Sequence, residues 1–334
     1  MIAEPGRSAI RTKLKESTFI FGTINLSWLE QREAFALFEH ALGHGVDVIN
    51  FTDAAYDGRS ETLFGGWARG AGDLAELMII AEVSGTDMGV PAMPNLHPSY
   101  IKPAVRRTLD RLRVNTIDVL LLPRPNFAMP VEPILEAMAE LAAEGLIRAF
   151  GTSTFPAWKI MQLCSRAERL GYSPPLLDES PYNVLDRRIE NELIPACEAS
   201  GMGVLAWAPL AQGMLSGTYS DADVIAPESR AARRGGVYRQ RITAAGVARA
   251  GRFAAIAQSL DLLPCQLATA WIRGNPAVLA PVVGCRTRQH LDEALGSPLR
   301  LADTVRERID SEVNAPGTAV VNFFNSAPWM KMRI

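Results

Sequence analysis

Eight short runs of apolar and β-branched residues, separated by longer segments of helical period, constrain the fold of this chain more than any other feature. The runs are Phe19–Leu26, Val46–Phe51, Leu77–Val83, Ile117–Pro123, Ile147–Ser153, Leu176–Ser180, Gly203–Pro209 and Ala277–Gly284. Most are apolar at successive rather than alternate positions, the pattern of strands buried on both faces, as in parallel sheets. Between them, stretches such as REAFALFEHALGHG, IKPAVRRTLDRLRV and VEPILEAMAELAAEG carry apolar residues every three or four positions, and several close on a glycine. Eight strand-helix pairs predict an α/β fold of the (β/α)8 or TIM-barrel type. The barrel is expected to occupy residues 1–334 as one domain, with a C-terminal tail from about residue 315. With 48% hydrophobic residues the chain can build a substantial core, which excludes disorder.

Lys plus Arg number 34 and Asp plus Glu 36, a net charge of -2 that gives no electrostatic reason to expect nucleic acid or an anionic membrane as partner. The four cysteines, Cys164, Cys197, Cys265 and Cys285, lie far apart with no CxxC and no histidine at metal-ligand spacing. Neither a disulfide framework nor a metal centre is expected. The N-terminus, MIAEPGRSAIRTKLKES, is charged throughout and lacks the apolar stretch of a signal peptide, and no apolar run approaches the ~20 residues a bilayer requires. A soluble cytoplasmic protein acting on a small molecule is the expectation, with oligomer formation left open.

Active-site residues of such barrels cluster at the C-terminal ends of the strands. Those ends hold Asn25, Asp53 with Tyr56, Glu82, Pro123, Ser153 with Thr154, Glu179 and Trp207. Two stretches fall outside the barrel count. Ser220 to about Arg241, rich in Arg, Ala and Gly, reads as a long, partly mobile loop over the mouth. The tail ending NFFNSAPWMKMRI reads as a segment on the barrel surface or rim; with the loops after the strands, its Phe323, Phe324 and Trp329 suggest apolar and aromatic pocket walls, although tail aromatics more often pack against the barrel than face a ligand.

Over nearly its whole length the chain resembles the aldo-keto reductase family. INFTDAAYDGRSETLFG is similar to the family's strand-two segment with its Asp and Tyr, RTLDRLRVNTIDVLLLPRP to its strand-four segment, and LIRAFGTSTF to its strand-five Gly-x-Ser-Asn. LAWAPLAQGMLSG resembles the pyrophosphate loop, and VVGCRTRQHLDEA the segment that holds the adenosine phosphate. The resemblance implies NADP(H) across the C-terminal face, touching Thr23, Ser153, Thr154, Glu179, Trp207, Leu210, Gln212, Gly213, Gly284, Arg286, His290 and Glu293. Trp207 would lie against the flat nicotinamide, the small residues of 211–217 would let backbone N–H groups approach a pyrophosphate, and Arg286 would fork onto the 2′-phosphate.

In the catalytic residues the chain departs from its family, where a Tyr exchanges the proton, a Lys lowers its pKa, an Asp pairs with the Lys and a His orients the substrate. Asp53 and Tyr56 remain, but Glu82 stands at the Lys position and Pro123 at the His position. Only Ala54 and Ala55 separate Asp53 from Tyr56, a shorter loop than the family's, and Thr154 and Glu179 replace its usual Asn and Gln. Ionised Glu82 beside Tyr56 would raise the phenol pKa. Close, poorly solvated carboxylates resist ionising together, so one of Asp53, Glu82 and Glu179 is expected to hold a proton near neutral pH and to serve as a donor. For Glu82 a second reading stands beside that one, a structural pairing with an arginine such as Arg124.

Three functions follow as alternatives. The first is an NADP(H)-dependent oxidoreductase with an atypical site, reducing a carbonyl, enone or imine of a specialised, secondary-metabolite-like substrate through Tyr56, Asp53 and Glu82. The second is a lyase, dehydratase or isomerase working with the same carboxylates. The third is a catalytically silent NADP(H)-binding sensor or partner subunit.

Overall fold

The computed structural model describes residues 4–52, 57–72, 74–83, 96–124, 129–227 and 229–323. Eight parallel strands close into a barrel in chain order: β1 (Ile20–Gly22), β2 (Val48–Thr52), β3 (Met78–Glu82), β4 (Ile117–Leu122), β5 (Ile147–Ser153), β6 (Leu177–Pro181), β7 (Gly203–Trp207) and β8 (Val278–Val283). The last strand returns to the first through Ile20↔Val282 and Phe21↔Val283. Each strand falls within or against one of the apolar runs. β1 is the shortest because the chain leaves the sheet after Gly22 and turns through a 3-10 segment at Leu26–Trp28.

Around the barrel run α1 (Glu4–Glu16), α2 (Gln31–Gly43), α3 (Arg59–Ala68), α4 (Pro98–Leu112), α5 (Glu132–Ala143), α6 (Ala157–Leu170), α7 (Leu193–Ala199), α8 (Arg230–Arg234), α9 (Gly236–Gln240), α10 (Ala244–Ser259), α11 (Pro264–Arg273), α12 (Arg288–Leu295) and α13 (Asp303–Glu312). None among the described residues is long and apolar enough to cross a membrane.

The doubly apolar strands explain the closure. One face of each supplies the interior cluster, with Ile20, Val48, Ile80, Val119, Leu121, Leu177 and Leu205, while the other supplies Phe21, Ile49, Phe51, Leu120, Leu122 and Val204 to the layer under the helices. Each such side chain contributes roughly 1.5–3 kcal/mol on leaving water. Helix α1, which the periodicity does not mark, inserts Ile10 and Leu14 into the interior cluster and so plugs one end of the barrel. The opposite end, where the strands terminate, stays open.

Helix α3 follows the segment that carries Asp53 and Tyr56, and it is pinned to α4. Glu61, fully buried, accepts from Arg111 Nε at 2.5 Å and from Thr108 Oγ1 at 3.2 Å. The helices approach closely at Gly65, where an added Cβ would collide with the Arg111 carbonyl oxygen. Gly65→Ala is therefore expected to cost about 2 kcal/mol of stability through overpacking, seen as a lowered melting temperature. An unchanged melting curve would contradict this account of the α3–α4 contact.

The stretch 220–241 is not the irregular loop expected from its composition. It holds the short helices α8 and α9, the first capped by Ser229, whose Oγ accepts from Ala232 N at 3.2 Å. The tail lies on the barrel as far as Phe323, bridged through Asp186↔Ala319.

Candidate functional site

A cavity of about 800 Å³ opens at the C-terminal ends of the strands. Its wall includes all twelve residues that the family resemblance assigns to a dinucleotide: Thr23, Ser153, Thr154, Glu179, Trp207, Leu210, Gln212, Gly213, Gly284, Arg286, His290 and Glu293. Glu82 lines it as well, together with Pro123 and Arg124. Asp53 and Tyr56 lie outside the described residues, as do Phe324 and Trp329.

The central part is built from strand ends. Glu179, 7% exposed, accepts from Asn50 Nδ2 across the barrel interior at 2.7 Å. Burial, and next the charge of Glu82, push its carboxyl up to about 8 against the relief from Asn50, so it is largely protonated at neutral pH. The adjacent Asp178 points to the other side of β6, where Thr152 Oγ1 donates to it at 2.6 Å and Phe155 N at 3.2 Å. Burial raises it to about 6 despite these bonds. Thr23 is committed locally, its hydroxyl donating to the Asn50 carbonyl at 2.9 Å.

Thr154 occupies the left-handed region with φ 57°, a costly conformation for a β-branched residue. The turn lets its N–H donate to the Glu179 carbonyl at 2.9 Å and sets its hydroxyl to accept from Trp207 Nε1 at 3.3 Å. Behind the half-buried indole, Phe323 packs edge-on at 6.3 Å between ring centres. Phe323 is fully buried and backs Trp207 without lining the cavity, so this tail aromatic packs against the barrel and supports the site from behind.

After β7 the chain passes through Ala208, Ala211, Gln212 and Gly213 at φ 54°, 46°, 60° and 96°. Three of these are not glycine, and strain of this kind concentrates where backbone is shaped around a ligand. Both polar atoms of the Gln212 carboxamide are buried with no hydrogen-bond partner among the described residues. An orphaned amide in a cavity wall is costly unless something else satisfies it. At Gly213 a Cβ would stand 3.0 Å from Thr218 Oγ1, so the small residue keeps the turn tight.

At the far end Asn25 ties three segments together. Its Nδ2 donates to the Gly284 carbonyl at 3.1 Å and its Oδ1 accepts from Arg230 Nη2 at 2.7 Å. Arg230 and Arg233 also face the Trp28 ring at 6.0 and 5.5 Å. Arg286 lies half-buried just before α12, whose N-cap Thr287 accepts from His290 N at 3.2 Å. Burial, with Arg286 nearby, lowers the His290 pKa, which keeps the imidazole neutral. Glu293 accepts from Gln289 Nε2 at 2.8 Å.

Sequence reasoning missed or underused several wall residues, among them Asn50, Arg230, Tyr238 and Arg241. Asn50 could have been found by strand parity, since it shares the inward face with Val48. Arg124, considered only as a structural partner, lies within electrostatic reach of Glu82 and returns a cation to the carboxylate side. Away from the cavity, His40 and His44, one turn apart at the end of α2, stand with Asp292 of α12 so that their side-chain nitrogens and the carboxylate lie within 4.8 Å of one another, with His40 Nε2 at 2.6 Å from Asp292 Oδ1. The i, i+4 spacing was visible in the sequence; the nearness of Asp292 was not.

A model of the Aldo/keto reductase family matches residues 18–313. The chain is 26% identical over 295 residues to the uncharacterized oxidoreductase YrpG of Bacillus subtilis, covering 85% of this chain and 88% of that protein. It is 27% identical over 298 residues to a protein of Arabidopsis thaliana named as a probable voltage-gated potassium channel subunit beta, with 85% and 88% covered. A rice protein of the same name is 27% identical over 299 residues, with 86% and 88% covered. With the family match spanning the barrel from before β1 to the end of α13, the chain belongs to the aldo/keto reductase family.

Proposed function

We propose that the protein is an NADP(H)-dependent oxidoreductase with an atypical proton-transfer site, reducing a carbonyl, enone or imine of a specialised substrate. The observation that carries this reading is the Gln212 carboxamide, buried and unpartnered among the described residues, in a wall shared with the twelve residues that the family resemblance assigns to a dinucleotide. A dinucleotide suits that wall chemically. Gln212 and the strained turn at 208–213 would face the diphosphate bridge, Arg286 and His290 the adenosine phosphate, and Trp207 the nicotinamide.

When bound, the nicotinamide supplies or accepts a hydride at its C4. The protein's own groups then have separate tasks. Trp207, held by Thr154 and backed by Phe323, offers a flat apolar face. Protonated Glu179 presents an acceptor to Asn50 and a donor O–H to its surroundings, the same pair of roles that a Gln side chain fills. The Tyr56 hydroxyl, or Glu82 in its protonated form, would give the proton to the developing alkoxide or its equivalent, with Asp53 in support.

The relatives named as potassium channel subunit beta favour a second reading, in which a barrel that binds cofactor acts through association with another protein. Tryptophan fluorescence titrated with NADPH and NADPH oxidation against a panel of aldehydes, ketones and enones test both. Saturable quenching, and with Glu82→Gln a turnover lower by about a hundredfold at unaltered NADPH affinity, are expected. Binding without turnover of any carbonyl would favour the second reading, and absence of NADPH binding would remove both.

A further inference from the structure

Beyond the groups assigned to the cofactor, the cavity wall holds cations that no part of the proposed hydride chemistry uses. Arg124 follows the end of β4 and Arg241 the end of α9, and both line the cavity together with Tyr238 of α9. Arg241 is 6% exposed yet lies within electrostatic reach of Arg124 and Arg230, so like charges converge where water is scarce. Glu82 offsets Arg124. Asp186, the acid that acts on Arg241, is already held in a two-point pair by Arg188 at 2.8 and 2.7 Å.

The Arg241 guanidinium is held in place from its faces. It lies over the Phe323 ring at 4.8 Å and the Tyr238 ring at 5.6 Å. Of the five N–H groups of a guanidinium, Nη2 donates to the Phe323 carbonyl at 2.9 Å, its one hydrogen bond among the described residues. Burial, with Arg124 and Arg230 nearby, lowers its pKa to about 10, which still leaves it charged at neutral pH. A fixed cation with donors to spare, set among other cations in a poorly solvated pocket, is costly until an anion arrives.

Resting on the reading of this cavity as a nicotinamide site, we propose that its substrate carries a carboxylate, held by Arg241 with Arg124 beside it, next to Trp207 and Glu82. The carboxylate would complete the forked hydrogen bonding of Arg241 and offset the charge of its guanidinium. The uncharged reactive group would then extend toward Glu82. Because Arg241 is anchored to Phe323, the tail that backs Trp207 also aligns the anion site with the proposed nicotinamide face.

Two probes test this. Benzoate is titrated calorimetrically into the NADP+-loaded protein, and 4-carboxybenzaldehyde is compared with benzaldehyde in NADPH oxidation. Benzoate is expected to bind saturably, and kcat/KM to favour the carboxylated aldehyde. Arg241→Met should weaken benzoate by about thirtyfold, the scale of one charge-assisted forked contact, and bring the ratio of the two aldehydes toward one. Arg241→Lys should recover part of both. Arg124→Met provides the same readouts if the Arg241 variants lose their cooperative melting transition. A protein that binds NADPH but neither binds benzoate nor prefers the carboxylated aldehyde overturns this proposal alone. Failure to bind NADPH overturns the cofactor reading beneath it.

Discussion

Replacing Glu179 by Gln is expected to stabilise the protein strongly near pH 9 and hardly at all near pH 5, because its carboxyl is pushed up to about 8 in the fold. The largest cause is burial at the top of the barrel interior, followed by the charge of Glu82, with Asn50 acting in the opposite direction. Below pH 4.5, its ordinary value, the group is protonated in both the folded and the unfolded chain. Between 4.5 and about 8 the folded chain keeps a proton that the unfolded chain releases, so stability falls as pH rises through this window and levels off above it. At about 1.4 kcal/mol per unit the whole span amounts to roughly 5 kcal/mol.

Gln has the same shape, accepts from Asn50 through its carbonyl and has no proton to lose, so that dependence should vanish in the variant. Asp178, raised to about 6, titrates in both proteins and largely cancels from the comparison. Melting curves of the two proteins at the two pH values provide the check. A difference of equal size at both would mean that Glu179 is ionised in the fold, and that its likeness to the family's Gln is only one of shape.

That likeness marks what the amino-acid sequence could and could not convey. Most of the strands were legible because they are apolar on both faces, a signal that needs no knowledge of neighbours; β6, with Asp178, Glu179 and Ser180, is the exception. Positions such as Glu82, Glu179 and Trp207 were legible because a parallel barrel collects its strand ends at one mouth. Helix α1 was not, since Ile10 and Leu14 are its only large apolar residues, and their value comes from the barrel end they plug. Helices α8 and α9 span five residues each, too short to hold by propensity; tertiary contacts such as Arg230 to Asn25 fix them.

The electrostatics of the site were legible only in outline. A shared proton among Asp53, Glu82 and Glu179 could be expected from their number. That Glu179 holds it depends on its depth in the barrel and on Glu82 arriving from another strand. Arg241 was hidden for the same reason. Its position at the mouth is set by Phe323, 82 residues further along the chain.

Arg286→Glu is expected to weaken NADPH binding by about a thousandfold while changing NADH binding by less than about fivefold, reversing the preference between them. In the proposed site Arg286 meets the 2′-phosphate, which NADH lacks. Losing a charge-assisted forked contact costs about 1.5–3 kcal/mol, and a carboxylate facing a phosphate adds repulsion, for a total near 4 kcal/mol or three powers of ten. His290 does not compensate. Burial and Arg286 keep it neutral, and although removing Arg286 lets it protonate more readily, Glu293 and the newly introduced carboxylate would compete for that charge. Because Arg286 lies ahead of the Thr287 cap, α12 keeps its Thr287 Oγ1 bond to His290 N and the fold should be undisturbed, which the melting temperature verifies. Arg286→Gln, neutral and without the fork, should fall between the two. Equal losses for NADPH and NADH would show that Arg286 shapes the mouth as a whole, and the 2′-phosphate would then have to be sought along the wall toward Arg230, which Asn25 already ties to Gly284.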